Sequence, residues 1–435
     1  MSSIQYRKDQ SIPVIASPEV AVIGGGPGGI GAAVFAARAG ARTLLIERYG
    51  YLGGMAAAGE VHPFMPNHAG GKCLDKPVYV EWVQAMRGYM PQGYNQPVDG
   101  EIPDGNARVI SKDAAMLAAE DLCLSAGAEL LYHHSLADVI ASDGKIEAIV
   151  LLSKSGLTAV TAECFVDATG DADLAAWAGC PIEVGGPSGH CQPMTLCFKL
   201  GGVDKSRTPG RREVTELYHQ AREAGQIDCV REDVLQFEWV LDDVVHFNTT
   251  RVIHKSGISG AELSAAEIDA RRQLREYLQF FRNHVPGYEK AYVFSVAHHV
   301  GVRETRRVKG KAYLVKQDFV DASKFDDAIA RVHYPIDIHN PDGQGTEHLR
   351  LEADEYYEIP YGCIVPEACD NLLIAGRPIS VDHAVHSSMR VMPPAMSVGQ
   401  AAGLAAATAA KSHNKPADLD GRQIRATLQE MGAYL

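Results

Sequence analysis

The glycines between positions 24 and 29 are the residues whose spacing most clearly indicates chemistry. They match the pattern G-x-G-x-x-G, with Gly24, Gly26 and Gly29 at the three fixed positions. The first glycine allows a tight turn, the second lets the backbone approach a pyrophosphate, and the third lets a helix pack closely on a strand. The free N–H groups at the start of that helix would face the phosphates. The pattern predicts a dinucleotide site, and a glycine-rich turn without a ligand is the alternative.

The residues around this turn predict the elements that must position it. Apolar runs at 19–23 and 43–46 predict two strands, and small residues at 28–39 predict a helix that Gly40 ends. Glu47 closes the second strand, 18 residues after Gly29, where an acidic side chain can bind a ribose hydroxyl. Together they form a βαβ unit, which predicts a parallel sheet.

Similar patterns continue along the chain. The later predictions are a helix at 111 to about 126, a hairpin of strands 136–140 and 146–152 around a turn at 142–144, a strand at 159–168, helices near 211–224 and 264–282, a strand at 371–375, and a helix from 393 to about 411. No second glycine-rich βαβ unit occurs between 185 and 360.

Composition excludes several classes of protein. The 435 residues carry a formal net charge of −13, which disfavours binding to nucleic acid or to an anionic membrane. No apolar run reaches the ~18 residues of a membrane span, and residues 1–16 lack the apolar segment of a signal peptide. The nine cysteines are scattered, odd in number and without C-x-x-C, so we expect no disulfide framework, no metal and a cytoplasmic location.

Three further segments favour FAD over NAD as the dinucleotide. They are Arg48 with the doublet Gly53-Gly54, a late strand and small turn at 166–171, and a last strand and turn at 371–377. With these residues the sequence resembles the FAD-dependent oxidoreductases of the glutathione-reductase structural class. It resembles most closely the large FAD-dependent oxidoreductase family, through residues 22–31, 53–54, 167–173, 301–307 and 379–403.

The resemblance implies an α/β fold: a Rossmann-like, discontinuous FAD-binding domain with a β-meander, and an inserted α+β substrate domain. The expected division is a leader at 1–17, the first part of the FAD-binding domain at 18–184 with a loop region at 59–107, a substrate or cap domain at 185–360, and the rest of the FAD-binding domain at 361–435.

The resemblance also implies which residues bind FAD. The glycine turn would hold the pyrophosphate, Glu47 the adenosine ribose, and Gly53-Gly54 would pass the phosphates. The full predicted set is Gly24, Gly26, Pro27, Gly28, Gly29, Glu47, Arg48, Gly53, Gly54, Met55, Leu136, Gly170, Asp171, Gly376, Arg377, Met396, Gly399 and Gln400. Helix capping is the alternative role for Asp171 and Asp173.

The last segment differs from familiar flavoproteins in one residue and continues into a small-residue helix. Many flavoproteins have Asp after the last glycine, whereas here Gly376 is followed by Arg377, which either binds a phosphate or faces elsewhere. The resemblance places the N-terminus of the following small-residue helix beside the flavin, where its dipole would stabilise the reduced ring. A buried core helix without ligand contact is the alternative.

The substrate side is less defined. Without a redox cysteine pair or a second dinucleotide motif, we expect FAD to exchange hydride directly with a small polar metabolite that bears a hydroxyl, amine or carboxylate. Histidine can move the accompanying proton and arginine can hold a carboxylate. The predicted catalytic set is His383, His386, Arg390, Arg303 and His299, with His62, His298 and Arg306 as further candidates. The alternative role for Arg306 and Arg307 is pairing with Glu304, Asp318 or other acids of the inserted domain.

Two other functions fit the same sequence. One is an FAD-binding electron-transfer subunit with a protein partner, and the other is a flavin monooxygenase that uses an external reductant. For the enzyme we expect a small-molecule substrate and no nucleic-acid or membrane partner, and a homo-oligomer is compatible with the sequence.

Overall fold

The computed structural model describes residues 11–91 and 109–435. The first ten residues of the predicted leader and residues 92–107 of the predicted loop region therefore lie outside the described residues. Within the predicted leader, Val14–Ala16 form a strand. No helix in the described part of the chain combines the length and apolar composition needed to cross a membrane.

The described elements alternate between strands and helices in the N-terminal part of the chain. In chain order the strands are β1 (Val14–Ala16), β2 (Val20–Ile23), β3 (Thr43–Ile46), β4 (His68–Ala69), β5 (Lys72–Cys73), β6 (Glu129–Leu131), β7 (Ser135–Ser142), β8 (Lys145–Ser153), β9 (Gly156–Val160), β10 (Cys164–Asp167), β11 (Ile182–Val184), β12 (Phe198–Gly201), β13 (Gln236–Glu238), β14 (Val245–Phe247), β15 (Tyr292–Val296), β16 (Arg306–Val308), β17 (Ala328–Val332), β18 (Ile336–His339), β19 (Thr346–Leu349), β20 (Tyr357–Pro360) and β21 (Leu372–Ile374). The α-helices are α1 (Pro27–Arg38), α2 (Val78–Met86), α3 (Lys112–Ala126), α4 (Asp173–Trp177), α5 (Arg211–Glu223), α6 (Gly260–His284), α7 (Lys316–Val320), α8 (His383–Met389), α9 (Met392–Ser412) and α10 (Gly421–Glu430).

A five-stranded parallel sheet in the order β21-β10-β2-β3-β6 organises the first core. Strands β2 and β3 are apolar apart from Thr43 and buried along their whole length, as expected for a parallel sheet covered on both faces. Helix α1 connects β2 to β3, which pair in register from Val20 opposite Thr43 to Ile23 opposite Ile46. The predicted βαβ unit is confirmed.

A four-stranded sheet in the order β1-β9-β8-β7 forms the predicted β-meander. Its hairpin turns at Asp143 and Gly144, which have φ angles of 49° and 76°, the left-handed conformation that a two-residue hairpin loop requires. The predicted single strand at 159–168 is wrong. It is two strands, because β9 belongs to the meander, β10 belongs to the parallel sheet, and residues 161–163 carry the chain between them.

Helices α1 and α9 pack with their backbones in close approach. A Cβ atom added at Gly399 would lie 2.0 Å from the carbonyl oxygen of Gly28, and one added at Gly403 would lie 2.0 Å from that of Ala32. Only glycine permits this distance between two helices. The predicted small-residue helix at 393–411 is confirmed, and its packing fixes it beside the glycine turn.

The chain between β11 and β20 contributes to two different cores. Residues from Met194 to Val300 build a second hydrophobic core, in which α5 and α6 pack against the sheet β13-β14-β12-β15. Buried residues of β17, β18 and β20 join the first core instead. The predicted boundaries at 185 and 360 stay predictions, while the α/β architecture with a parallel sheet and a meander is confirmed.

Candidate functional site

The glycine turn connects β2 to α1 at the carboxyl end of the parallel sheet. Gly24 has a φ of 107°, and a Cβ there would lie 2.3 Å from the carbonyl oxygen of Ala168. A Cβ at Gly29 would lie 1.8 Å from the carbonyl oxygen of Gly24, whereas a Cβ at Gly26 would meet nothing closer than Gly54 Cα at 3.7 Å. Protein packing therefore requires glycine at 24 and 29, but it leaves the space beside Gly26 open.

The same turn offers backbone donors to an anion. Gly26 is the N-cap residue of α1 and no side chain caps this helix. The first N–H groups of a helix lack intrahelical acceptors and carry the positive end of its dipole. The open space beside Gly26 and these donors fit a pyrophosphate, so the residues present suit a dinucleotide.

Glu47 closes β3 on the other side of the turn. Its Oε2 accepts a hydrogen bond from the N–H of Gly25 at 2.6 Å, and its Oε1 accepts one from the N–H of Tyr49 at 2.9 Å. Burial raises the pKa of this carboxyl, although both hydrogen bonds favour its charged form. The two backbone bonds fix the carboxyl group at the sheet edge, where a ribose hydroxyl can donate to it.

A cavity of about 540 Å³, here called the nucleotide cavity, extends along this edge of the sheet. Open α/β sheets bind their ligands at this position, outside the carboxyl ends of the strands. The predicted cofactor residues that line it are Gly24, Gly26, Pro27, Gly28, Glu47, Arg48, Gly54, Met55, Leu136, Gly170, Asp171, Gly376 and Arg377. The structure thus brings most of the predicted set to one surface.

The other predicted cofactor residues lie behind that surface. Gly29 and Gly399 pack against backbone, and Gly53 donates its N–H to the carbonyl of Gly25 at 2.8 Å. Met396 is fully buried, and Gln400 accepts from the N–H of Val78 at 2.9 Å.

Met396, Gly399 and Gln400 therefore do not line the nucleotide cavity, in contrast to the predicted direct contacts. These residues lie one turn or more beyond the start of α9, where the helix packs against other parts of the protein. Met392 and Ala395, one turn earlier, line the nucleotide cavity in their place. The N-terminal end of α9 thus borders the cavity, as predicted.

A second cavity of about 570 Å³ adjoins the first. The two cavities share five lining residues, which are Met55, Val302, Arg377, Arg390 and Met392. The second cavity is rich in charged and polar side chains, namely His62, Arg211, Arg231, Glu232, Asp233, Arg303, Tyr334, Asp337, His339 and His348 in addition to the shared arginines. Its size is in the usual range for a small-molecule site.

Asp337 is the centre of a polar network in this second cavity. Its Oδ2 accepts a hydrogen bond from Tyr334 Oη at 3.2 Å and lies 3.4 Å from Arg390 Nη2 and 3.5 Å from His339 Nε2. Nδ1 of His348 lies 3.5 Å from Oδ1. Burial alone would raise the pKa of Asp337, but the hydrogen bond from His339 and the charge of Arg390 outweigh it and hold this pKa below its usual value.

Two histidines of the second cavity are held neutral. Burial lowers the pKa of His62 to about 4, and its Nδ1 accepts a hydrogen bond from the N–H of Ile110 while Nε2 donates to the carbonyl of Glu238. Burial and the nearby charge of Arg303 lower the pKa of His339 to about 3. Neither ring adds positive charge to the cavity near pH 7.

The predicted catalytic residues separate into two groups. Arg303 and Arg390 line the second cavity. His383 and His386 line neither cavity, since His383 Nδ1 lies 2.8 Å from Glu304 Oε1 and His386 is fully buried. Neither ring nitrogen of His386 has a hydrogen-bond partner among residues 11–91 and 109–435, and burial keeps its pKa well below the ordinary value.

The structure therefore corrects the prediction for these two histidines. Their position between the last strand and the last helix suggested a place at the flavin. However, α8 buries His386 in the protein, and the ion pair with Glu304 holds the partly exposed His383 outside both cavities.

His299 also has a different place from the one predicted. It lines the nucleotide cavity and stacks on Tyr49 with ring centroids 5.8 Å apart. Since Tyr49 follows Glu47 by two residues, His299 lies at the end of the cavity where Glu47 is found and does not line the second cavity. Further along, His298 hydrogen-bonds Tyr51.

The neighbouring arginines form ion pairs, as the alternative interpretation predicted. Arg306 pairs with Asp173 at 2.7 Å, and Arg307 pairs with Glu304 at 2.6 Å. Asp171 pairs with Arg377, so neither Asp171 nor Asp173 provides a side-chain cap for α4. These residues organise the wall between the sheet and the second core.

Sequence reasoning missed Asp337, His339, Tyr334 and His348. A weak signal exists, because Asp337 and His339 alternate along β18 and so share one face of that strand. Alternating polar residues of this kind are common in exposed strands, so the pattern alone does not predict a site. Only the position of β18 beside the second cavity shows that these residues line it.

The other reactive side chains of the protein are its cysteines and one histidine cluster at the surface. All nine cysteines are free, and eight of them are buried. At the surface, His190, His254 and Asp342 each place one potential ligand atom within 4.8 Å of the others. His190 pairs with Asp342 at 2.5 Å, which accounts for this grouping without an ion, and the prediction of no metal stays a prediction.

Comparison with known proteins gives similarity over different lengths. Over 165 residues, 37% of this chain, the sequence is 31% identical to the digeranylgeranylglycerophospholipid reductase of Thermoplasma volcanium, and the match spans 41% of that protein. A solved geranylgeranyl bacteriochlorophyll reductase-like protein of Thermoplasma acidophilum has 15% identity and a TM-score of 0.48, covering 96% of this chain and 84% of its own. The solved structure of a p-nitrophenol 4-monooxygenase of Pseudomonas putida has 11% sequence identity and a TM-score of 0.48. That match covers 96% of this chain and 87% of the monooxygenase.

The family itself is defined by a match to nearly the whole chain. The sequence model described as FAD dependent oxidoreductase matches residues 19–428. This range includes the glycine turn, Glu47, both later turns of the sheet and the whole of α9. The chain therefore belongs to the FAD-dependent oxidoreductase family, and its cofactor is FAD.

Proposed function

We propose that this enzyme exchanges a hydride directly between its flavin and a small polar metabolite bound in the second cavity. The observation that supports the proposal is the shared wall, since Met55, Val302, Arg377, Arg390 and Met392 line both cavities. A ligand in the second cavity is thereby adjacent to the nucleotide cavity. FAD, when bound, supplies the redox chemistry, and the chain supplies binding, orientation and proton handling.

Arg390 is the residue best placed to orient a substrate. It lines both cavities, and its Nη2 donates to the carbonyl of Asp337 at 3.3 Å. Its Nε is buried and has no hydrogen-bond partner in the described part of the chain. A guanidinium held on one side by Asp337 keeps a fixed direction, so the part of Arg390 that lines the cavity, rather than its buried Nε, can select the position of a polar substrate group.

The proton that accompanies the hydride needs a route of its own. When a carbon bearing a hydroxyl loses hydride and becomes a carbonyl, the hydroxyl proton must also leave. We assign that proton to His348, which lines the second cavity, has a side chain 51% exposed to solvent, and is oriented by Asp337. The exposed ring can pass the proton to water, which the neutral and fully hydrogen-bonded His62 cannot do.

A second cavity large enough for a small molecule favours this function over an electron-transfer subunit, for which a protein partner would need only access to the flavin edge. Anaerobic mixing of the holoenzyme with small alcohols, hydroxy acids and amines tests the proposal through loss of oxidised flavin absorbance. Reduction by one of these compounds supports direct exchange. Reduction by NAD(P)H alone, with oxygen consumed and a hydroxylated product, would establish a monooxygenase instead.

A further inference from the structure

Arg303 has an unusual environment in the second cavity. Its Nη1 donates to the carbonyl of Pro193 at 2.6 Å and to Thr195 Oγ1 at 2.7 Å, and both acceptors are neutral. Within residues 11–91 and 109–435, no carboxylate oxygen lies within 4.0 Å of its guanidinium. Arg303 is partly exposed within the cavity, and Asp337 is the carboxylate whose charge acts on it from a distance, so an anion that enters the cavity can supply a direct counter-charge.

The other arginines of the cavity all have a carboxylate partner. Arg211 and Arg231 share Asp233, Arg377 pairs with Asp171, and Arg390 pairs with Asp337. Burial, and after it the charges of Arg390 and Arg231, lower the pKa of Arg303 to about 9. The other arginines of the cavity are therefore balanced by carboxylates and, among the described residues, Arg303 is not. One negative charge on a ligand would balance the charge of Arg303.

Unsatisfied donors surround the same space. Arg231 is 4% exposed, and its buried Nη1 has no hydrogen-bond partner in the described chain. The Nε atoms of Arg377 and Arg390 are buried and unpartnered as well. All three side chains line the second cavity. These three nitrogens have almost no accessible surface, so they are covered by protein rather than open to the cavity, and Arg303 alone supports an anion site.

We propose that the second cavity contains a carboxylate subsite, in which Arg303 binds the carboxylate of a small organic acid and Arg390 supplies a second donor. This inference rests on the proposed function and names its substrate class, a small monocarboxylic acid that carries the oxidisable hydroxyl or amine. The planar fork of arginine matches a carboxylate through two parallel hydrogen bonds.

The acids of the cavity restrict the ligand to one negative charge. Glu232, Asp233 and Asp337 also line the second cavity, and Asp337 is held in its charged form. A dianion such as inorganic phosphate would add repulsion from these groups after Arg303 has been neutralised. A monocarboxylate satisfies Arg303 without that cost.

The experiment uses the intact holoenzyme and calorimetric titration with defined probes. Glycolate, lactate and pyruvate are compared with glycolamide, lactamide and inorganic phosphate. We expect glycolate and lactate each to bind at least about 30-fold more tightly than the corresponding amide, in keeping with a charge-assisted hydrogen bond to a guanidinium that lines the cavity. Arg303→Gln removes this preference, and Arg303→Lys retains part of it because the charge remains.

A matched control is available on the surface. Arg207 is exposed and pairs only with Glu289 among the described residues, so Arg207→Gln changes the same charge without touching the cavity. It is expected to bind the acids as the wild type does. The comparison of acid with amide in the wild-type protein needs no variant, so a misfolded Arg303→Gln protein would not prevent the test.

The results separate the subsite from the reaction. The subsite is overturned if amides bind as tightly as acids, if Arg303→Gln keeps the preference, if phosphate binds more tightly than the acids, or if no acid binds at tens of millimolar. Flavin bleaching is recorded separately in anaerobic samples. Acids that bind through Arg303 but never bleach the flavin support the subsite and contradict hydride exchange, whereas bleaching by neutral alcohols without an acid preference contradicts the subsite alone.

Discussion

Arg377 forms an ion pair with Asp171 in which Nη2 lies 2.5 Å from Oδ1. Asp171 follows Gly170 in the turn after β10, and Arg377 follows Gly376 in the turn after β21, so the pair joins two adjacent turns of the cofactor sheet. Nη1 of Arg377 also donates to the carbonyl of Val302 at 2.6 Å. The sequence left two roles open for Arg377, binding a phosphate or facing elsewhere. In the structure its guanidinium faces Asp171, and the residue forms part of the wall between the two cavities.

The pair predicts a coupling between these two residues in FAD binding. Arg377→Gln leaves the carboxylate of Asp171 unbalanced on the wall of the nucleotide cavity, where the phosphates also carry negative charge. We expect FAD affinity to fall about tenfold. Asp171→Asn in the same protein should restore part of the loss, and titration of the four apoproteins with FAD measures this coupling. Additive losses would show that the pair does not act as a unit.

Gly26 and Gly29 should respond differently to alanine. A Cβ at Gly26 meets only Gly54 Cα at 3.7 Å, so Gly26→Ala should fold normally but weaken FAD binding at least about tenfold, because the methyl group occupies the pyrophosphate approach. A Cβ at Gly29 would lie 1.8 Å from a carbonyl oxygen, so Gly29→Ala should lower the Tm of the apoprotein. Full yellow colour in purified Gly26→Ala protein would contradict the placement of the pyrophosphate.

His386 should be dispensable for flavin reduction. Since it is fully buried, unpartnered in the described chain and outside both cavities, His386→Leu is expected to change the rate of reduction by substrate less than about threefold. Replacing a buried unsatisfied polar group by an apolar one of similar size should keep or raise the Tm. A hundredfold slower reduction with normal FAD content would return His386 to the active site.

Asp75 should make stability depend on pH. It is fully buried and accepts hydrogen bonds from Asn67 Nδ2 at 2.9 Å and Ser397 Oγ at 2.7 Å, and burial raises its pKa from 3.8 to about 7. Between these two values the folded protein holds a proton that the unfolded chain has released. The free energy of unfolding should therefore fall as the pH rises from 4 to 7, by at most about 1.4 kcal/mol per pH unit.

Urea denaturation at pH 5 and pH 7 checks this dependence. Asp75→Asn cannot titrate, so its free energy of unfolding should fall less over this range than that of the wild type. Asp113→Asn, at an exposed position of α3, serves as the control and should keep the wild-type slope. Equal slopes in all three proteins would mean that Asp75 is ionised throughout.

The sequence predicts the cofactor half of this molecule well for a physical reason. The turn from 24 to 29, the helix after it and Glu47 are neighbours in the chain, so their roles follow from local backbone geometry. The helix that carries Gly399 is predicted from the sequence, but only the packing of α9 on α1 shows that Gly399 lies against Gly28 and not on the lining of the nucleotide cavity.

The substrate half could not be predicted in the same way. Arg303, Asp337 and Arg390 lie far apart in the chain, and they meet only because β18 and α8 pack against each other beside the second core. The attractive position of His386 in the sequence was misleading because burial depends on tertiary packing. The division of the predicted strand 159–168 into β9 and β10 could not be predicted for a similar reason. Both strands are apolar, and they differ only in the sheet that each one joins.

The most direct test of the central claim is anaerobic stopped-flow mixing of the yellow holoenzyme with small hydroxy acids, without nicotinamide. The account predicts that at least one of them removes the oxidised flavin absorbance, and that Arg390→Gln slows this reduction at least about 100-fold while retaining FAD. A flavin that stays oxidised with every hydroxy acid, alcohol and amine, yet is reduced by NAD(P)H or by a protein partner, would contradict it.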